Sequence, residues 1–354
     1  MSSRRARPRT HTSAVMSWFV VPSIAVLAVS CVPASNVASS ATDLLRPGAI
    51  APAARTSAAT DHVIIVSVDG LRPDAIGRFK AATMGRLARD GSHSFAATTI
   101  NPSKTLPSHT SMLTGEGPEE HGIKWNSNET ETHSHVAVPT VFALARQVGL
   151  RTAAFFSKGK FNHLEVPGSL DHTQAPNGDG KWSADRTIGD VERYLATSRP
   201  NLLFVHLGEP DYAGHVWGWM SWMYGRAVRK ADAAVGRLVA AADRAFGAGN
   251  YTFLLTADHG GHGRTHGSER PEDVTIPWIA YGEGVRAGTE LQRGIRTMDT
   301  AGTALWLLGV GVPADWTGVP VRSAFTETAR LASDQASSST RVASTEGGVV
   351  ASGH

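Results

Sequence analysis

Four short segments constrain this chain more than any other feature. His62–Val68 (HVIIVSV), Arg151–Ser157 (RTAAFFS), Asn201–Leu207 (NLLFVHL) and Tyr251–Thr256 (YTFLLT) are nearly unbroken apolar runs rich in β-branched and aromatic residues. A strand wetted on one face alternates apolar with polar residues, whereas a continuous apolar run is buried on both faces. Amphipathic stretches lie between the runs, at 73–90, 139–149, 184–197 and 219–246. Buried strands alternating with helices predict an α/β fold, a mostly parallel sheet with helices on both faces, over one domain of about residues 61–325. In such sheets ligands bind beyond the carboxyl ends of the strands. The residues just after each run are therefore where function is sought.

Three of the four runs lead into acids and histidines. The first ends in Asp69-Gly70. The third is followed by Glu209-Pro-Asp211-Tyr-Ala-Gly-His215, and the last by Ala-Asp258-His259-Gly-Gly-His262-Gly-Arg-Thr-His266-Gly. One aspartate after a strand is ordinarily a turn former or helix cap. Three such endings on one sheet edge point elsewhere. Asp211 and His215 are one helical turn apart and face the same way if a helix starts there. Carboxylates and imidazoles converging without a cation would be costly in repulsion and desolvation. Oxygen and imidazole donors suit Zn²⁺, Mn²⁺ or a similar divalent ion, and neutral imidazole disfavours Ca²⁺ as the primary ion. Six or seven candidates exceed the needs of one tetrahedral zinc and fit two.

Composition removes several other classes. Cys31 is the single cysteine, so a disulfide framework, a cysteine zinc finger, an iron–sulfur site and a cysteine nucleophile in the main domain are excluded. The net charge of +3 includes four arginines in the first ten residues, and the chain after residue 34 carries −1. Bulk charge therefore argues against nucleic-acid binding. The arginine-rich start, the apolar run Trp18–Ser30 and the small residues Val32-Pro-Ala34 read as an export signal over residues 1–34. Leu27-Ala-Val-Ser-Cys31 also resembles a permissive bacterial lipobox, which would make Cys31 a lipid anchor, the one membrane attachment expected. Residues 35–60 read as a flexible linker and residues 326–354 as a disordered tail. The expected location is outside the cytoplasm, periplasmic or extracellular.

The segment Asn101-Pro-Ser-Lys-Thr105-Leu-Pro-Ser-His-Thr-Ser-Met-Leu-Thr-Gly115 supplies hydroxyls. Pro107 fits the first turn of a helix ending near Gly115, whose leading N–H groups would face an anion. A hydroxyl just before that helix could attack phosphorus or sulfur once a metal favours its ionised form. Ser103, Thr105 and Ser108 all qualify on this ground, and an ordinary Ser/Thr cap has the same composition.

Taken together, the motifs Val-Ser-Val-Asp69-Gly-Leu-Arg-Pro-Asp, Lys-Thr105-Leu-Pro-Ser-His, Glu-Glu-His-Gly-Ile-Lys-Trp-Asn126, Glu-Pro-Asp211-Tyr-Ala-Gly-His215, Ala-Asp258-His259-Gly and His266-Gly resemble the alkaline phosphatase superfamily. Within it they resemble the type I phosphodiesterase/nucleotide pyrophosphatase family, over roughly residues 62–325. Asp299–Gly309 followed by Val-Pro313 is similar to the superfamily's closing helix. The resemblance implies that Thr105 is the nucleophile and forms a phosphothreonine. It implies two Zn²⁺, one held by Asp69, Asp258 and His259 with the Thr105 oxygen, the other by Asp211, His215 and His266. Asn126 would steady a phosphate oxygen together with the Thr105 N–H. The stretch between Asp258-His259 and the last ligand is short here, which makes His262 a rival to His266. His266 is preferred because Gly267 and then an apolar strand, Thr275–Ala280, follow it.

Ser157-Lys-Gly-Lys160 resembles the Lys-x-Lys of phosphonoacetate hydrolases, which implies substrate binding by Lys158 and Lys160; solvated loop lysines are the alternative. Trp217, two residues from His215, is a candidate pocket wall. Trp219, Trp222 and Met223 have helix-core spacing. The implied function is an exported, metal-dependent phosphoric ester hydrolase acting on a small phosphorylated substrate, with phosphodiesters or nucleotide pyrophosphates preferred. A phosphomonoesterase or phosphonoacetate-type hydrolase is the alternative on the same site. A non-catalytic metal-binding exported protein is the rival of another class.

Overall fold

The computed structural model describes residues 58–129, 133–292 and 294–334. The expected export signal with Cys31, linker residues 35–57 and tail residues 335–354 lie outside the described residues.

The four apolar runs are strands buried along their whole lengths, as continuous hydrophobicity requires. In chain order the first elements are β1 (Val63–Val68), α1 (Pro73–Arg78), α2 (Ala82–Asp90), β2 (Ser92–Thr98), α3 (Thr105–Thr114) and α4 (Pro118–His121). Next come α5 (Val141–Gln147), β3 (Thr152–Phe155), β4 (His172–Gln174), α6 (Ala184–Thr197), β5 (Leu202–Leu207) and α7 (Glu209–Trp217). The last are α8 (Trp222–Phe246), β6 (Thr252–Thr256), α9 (Pro271–Val274), β7 (Thr275–Gly282), β8 (Thr289–Glu290) and α10 (Asp299–Leu307).

One eight-stranded sheet runs in the order β4-β3-β5-β1-β6-β7-β2-β8. β4, β3, β5, β1 and β6 are mutually parallel, β7 is antiparallel to both β6 and β2, and β8 is parallel to β2. The sheet is thus mostly parallel, with the reversal confined to β7. Helices α1, α2, α6, α7 and α8 pack as one group and α3, α4, α5 and α10 as another, covering the two faces. The register sets Val68 beside Leu207 and Ser67 beside Thr256, so the chain leaves β1, β5 and β6 at one level.

Local chemistry explains where the structure departs from the periodicity. The stretch 73–90 is two helices, because Lys80 adopts φ 54° between them. Ala81, at the N-cap of α2, has no side chain to cap with, and Asp232 from α8 accepts the N–H groups of Thr83 and Met84 instead (3.1 and 2.8 Å). Helix α8 begins only at Trp222, where the Ser221 hydroxyl accepts the Tyr224 N–H. Trp219 therefore lies in the preceding turn, buried, while Trp222 is 66% exposed and takes no part in the core. Order continues past Phe325. Residues 327–334 are helical, Ala329 and Ser333 are buried, and Trp306 Nε1 donates to Asp334 Oδ1 at 2.9 Å. Among the described residues no helix is long and apolar enough to cross a membrane.

Candidate active site

The ends of β1, β5 and β6 place Asp69, Asp211 and Asp258 at one edge of the sheet, and all three are buried. The chain turns sharply after Asp69 because Gly70 has φ 71°; a Cβ there would lie 2.9 Å from Asp211 Cα. That close approach puts the Asp211 N–H on the Asp69 carbonyl at 3.0 Å. Asp211 lies in the first turn of α7 and His215 one turn on, the geometry their spacing predicts.

Three histidines point Nε2 at these acids, and in each a main-chain carbonyl fixes the tautomer. His215 Nδ1 donates to the Arg264 carbonyl (3.1 Å), His259 Nδ1 to that of Gly260 (2.8 Å) and His266 Nδ1 to that of Ser103 (2.7 Å). A carbonyl only accepts, so the proton is on Nδ1 and the Nε2 lone pair faces the cluster. Asp211 Oδ1 lies 3.3 Å from His215 Nε2, 3.7 Å from His266 Nε2 and 4.0 Å from His259 Nε2. His259 Nε2 lies 3.5 Å from Asp69 Oδ1 and 3.2 Å from Asp258 Oδ2. The rings of His259 and His266 stack at 3.6 Å.

The donor atoms gather as two trios, Asp211 with His215 and His266, and Asp69 with Asp211 and His259, each within 4.8 Å. The first groups the three residues that the family resemblance implies for one ion. In the second, Asp211 joins Asp69 and His259 in the place expected for Asp258, whose Oδ2 nonetheless stays beside His259 Nε2. His262 is directed elsewhere: its Nδ1 pairs with Asp273 Oδ1 at 2.7 Å, and reciprocal backbone hydrogen bonds between His262 and Thr265 close the tight turn that brings His266 back to the cluster.

The Asp69 Oδ1, Asp211 Oδ1 and Asp258 Oδ2 atoms are buried without a hydrogen-bond partner. Unsatisfied carboxylate oxygens facing imidazole lone pairs form a donor set that a cation satisfies, and its mixed oxygen and nitrogen character fits a divalent transition ion. The electrostatics agree. Burial would raise the Asp69 and Asp211 carboxyls, but the Lys158 ammonium holds both well below the usual carboxylate range. Burial and the nearby Asp69 push Asp258 well above it. Burial lowers His259, and burial together with His259 lowers His266 to about 4, keeping both imidazoles neutral. The neighbouring Asp211 carboxylate raises half-exposed His215.

The structure separates the three candidate hydroxyls. Ser103 Oγ donates to the Ser268 carbonyl (3.3 Å) and Ser108 Oγ pairs with Thr99 Oγ1 (2.8 Å). Thr105 Oγ1, at the first residue of α3 and buried, lies 3.2 Å from His259 Nε2. Asn126 sits beside it, its Oδ1 accepting the Leu106 N–H at 2.9 Å. Lys160 Nζ donates to the Asn126 backbone carbonyl (2.9 Å) and Oδ1 (3.1 Å), and burial with neighbouring Lys158 lowers it to about 8. Lys158 Nζ lies 2.6 Å from Asp69 Oδ2 and 2.6 Å from Asp211 Oδ2. Neither lysine is a solvated loop residue. Trp217, at the end of α7, is 53% exposed, and the indole that packs on His215 and His266 is that of Trp219.

Sequence reasoning missed the residues that hold the clustered acids and Thr105 in place. His206, inside β5, donates from Nε2 to Asp69 Oδ2 at 2.9 Å while its Nδ1 accepts the Ser157 N–H. His109 donates from Nδ1 to the Thr105 carbonyl (2.8 Å) and pairs through Nε2 with Ser67 Oγ (2.8 Å). Trp219 Nε1 and the Tyr224 hydroxyl both donate to the Gly70 carbonyl. A histidine inside an otherwise apolar run was the available signal for His206.

Comparisons with known proteins agree with this geometry. The human ectonucleotide pyrophosphatase/phosphodiesterase family member 7 is 27% identical over 238 residues, 61% of this chain and 51% of that protein. Venom phosphodiesterase 2 of Crotalus adamanteus is 25% identical over 217 residues, 56% of this chain and 26% of that one. The chain thus spans about half, or less, of the length of these curated relatives. Among solved structures, murine ectonucleotide pyrophosphatase/phosphodiesterase 5, an inactive threonine-to-alanine variant in complex with AMP, superposes with TM-score 0.65 at 15% identity, covering 75% of this chain and 100% of that one. A 2-O GAG sulfatase gives 0.62 at 16%, covering 75% and 74%. At such identities these likenesses show the fold. The family model of type I phosphodiesterase/nucleotide pyrophosphatase matches residues 63–266. That match runs from the start of β1 to the last clustered histidine, and the chain belongs to this family.

Proposed function

We propose that the chain is an exported metal-dependent hydrolase that cleaves phosphodiester or nucleotide pyrophosphate bonds, with Thr105 as nucleophile. The observation that carries this reading is the position of Thr105 Oγ1, buried at the head of α3 and 3.2 Å from His259 Nε2. The metal-binding residues are Asp69, Asp258 and His259 for one ion and Asp211, His215 and His266 for a second, with Asp211 in reach of both; zinc suits these donors best. When bound, such ions supply Lewis acidity, favouring the ionised hydroxyl and offsetting charge on the transferring group.

The chain's own groups do the rest. Thr105 Oγ1 forms a bond to phosphorus as the bond to the leaving oxygen breaks, and the leaving group departs with that electron pair. The Thr105 N–H, at the head of a ten-residue helix, is one of those without an intrahelical acceptor. Asn126 has its oxygen engaged by Leu106 and Lys160, which leaves its amide N–H₂ to hold a phosphate oxygen beside that N–H. Water then attacks that phosphorus, which still carries the ester group that did not leave, so a phosphate monoester such as a nucleoside monophosphate is released and the Thr105 hydroxyl is restored. The names of the relatives support a nucleotide or diester substrate, and the inactive threonine variant with AMP supports both the nucleophile and a small nucleotide ligand. Export rests on the arginine-rich and apolar start of the chain and on relatives named as ectoenzymes and venom enzymes.

A second reading, monoester or phosphonate hydrolysis, is favoured by one observation. Lys160 Nζ stands at Asn126, where a dianionic phosphate would gain a cationic partner. The test compares kcat/KM for an aryl phosphodiester and the matching monoester on zinc-loaded protein at one pH. A diester preference is expected. A monoester preference of about tenfold or more, a transition-state difference of ~1.4 kcal/mol, would favour the second reading.

A further inference from the structure

The fourth buried strand, β3, leads into a base rather than an acid, and the structure shows where that base goes. Lys158 is buried with its ammonium 2.6 Å from one oxygen of Asp69 and 2.6 Å from one oxygen of Asp211. Asp211 belongs to both donor trios and Asp69 to one of them. In each carboxylate, Lys158 takes Oδ2 and leaves Oδ1 bare toward the histidines. His206 shares Asp69 Oδ2, so that oxygen is fully used on the side away from the histidines. The lysine therefore does not compete for the oxygens that face the imidazoles. Its effect on an ion there comes through charge.

We propose that Lys158 is a built-in cation of the centre that opposes its loading with divalent ions, so that the second ion enters without net attraction. The inference rests on the two-ion reading above. Ionised as ligands, Asp69, Asp211 and Asp258 supply three negative charges beside neutral imidazoles, and Lys158 cancels one. The first divalent ion then neutralises the cluster, and a second enters with no net attraction left. Without the ammonium, one negative charge remains for the second ion. In a buried cluster such a difference acts at short range with little screening. Lys158 is a positioning residue for this charge balance and touches no reacting atom.

The experiment is a competition between the dialysed full-length chain and a chromophoric chelator for Zn²⁺. Wild type should show two binding steps separated by about tenfold or more, and Lys158→Met should tighten the second step by about tenfold or more. Lys158→Arg, which keeps the charge, should keep the wild-type affinity of the second step. A residue that merely supported the fold would weaken both steps when removed, so the direction of the change is decisive. Equal steps in wild type, or a second step unchanged or weakened in Lys158→Met, would overturn the inference. If Lys158→Met does not fold, the Arg variant decides, because a tightened second step in Lys158→Arg would rule out charge as the cause. A wild-type chain that takes up no divalent ion would remove the two-ion reading itself, a result distinct from equal steps.

Discussion

Gly70→Ala should damage this protein far more than one added methyl suggests. An alanine at φ 71° takes on the left-handed penalty of about 1–2 kcal/mol. Its Cβ would also lie 2.9 Å from Asp211 Cα, 3.0 Å from Cβ and 3.1 Å from N. Gly70 cannot withdraw, because its N–H donates to Asp258 Oδ1 and its carbonyl accepts from Trp219 and Tyr224. The displaced group is main chain, so overpacking adds about 1–3 kcal/mol. The expected loss is about 2–5 kcal/mol, read as a lower urea midpoint at unchanged slope. Gly122→Ala is the control: φ is 77°, but nothing lies within 4 Å of its Cβ, so it carries the backbone penalty alone. The difference between the variants isolates the contact with Asp211. Hydrolysis by Gly70→Ala should fall further than the loss of folded protein explains, because Asp211 is shared by both donor trios. Equal destabilisation by the two substitutions would refute the reasoning.

Thr105→Ala should lower kcat by roughly 10³-fold or more while divalent ions still bind, and Thr105→Ser should retain partial activity; comparable activity in Thr105→Ala and wild type would exclude the proposed nucleophile. Chelation should abolish hydrolysis and lower Tm, since a ligand that binds the folded state stabilises it, and active protein found metal-free by elemental analysis would contradict this. Lys160 is lowered to about 8 from an ordinary 10.5, so between those values the unfolded chain holds a proton that the folded chain has released. Its contribution to stability therefore rises from about pH 8 to about pH 10.5 and is lost again as pH falls. Urea melts of wild type should show this rise and those of Lys160→Met should lack it; an identical profile in both would count against the buried lysine.

The strands and the acids at their ends were legible because each depends on the local chain. A doubly buried strand needs continuous hydrophobicity, and Asp69, Asp211 and Asp258 come directly after such runs. β2 was not legible: Ser-His-Ser-Phe-Ala-Ala-Thr is strand only because β7 pairs with it, through a register shift between Ser94 and Ala97. The helix-core spacing of Trp219, Trp222 and Met223 misled at Trp222, because Ser221 caps and starts the helix after Trp219 and leaves Trp222 exposed. Asp211 beside His259, in the place expected for Asp258, reflects the approach of α7 to Gly70, a contact across the sheet that no spacing records. Likewise the two lysines after β3 could be located in sequence, but their partners, Asn126 and the acids after β1 and β5, come from other strand ends and a loop.

The level exit of three adjacent parallel strands also orders events in time. Asp69 and His266 are separated by roughly two hundred residues of chain, so an ion meeting the unfolded polypeptide would have to close a very long loop to hold both. Only after β5, β1 and β6 have zipped side by side do the donors share a neighbourhood. β6 is the last of the three to be synthesised, and His266 comes after it. The full donor set is thus assembled only once the sheet is, so an ion that took all of it would lock a sheet already made.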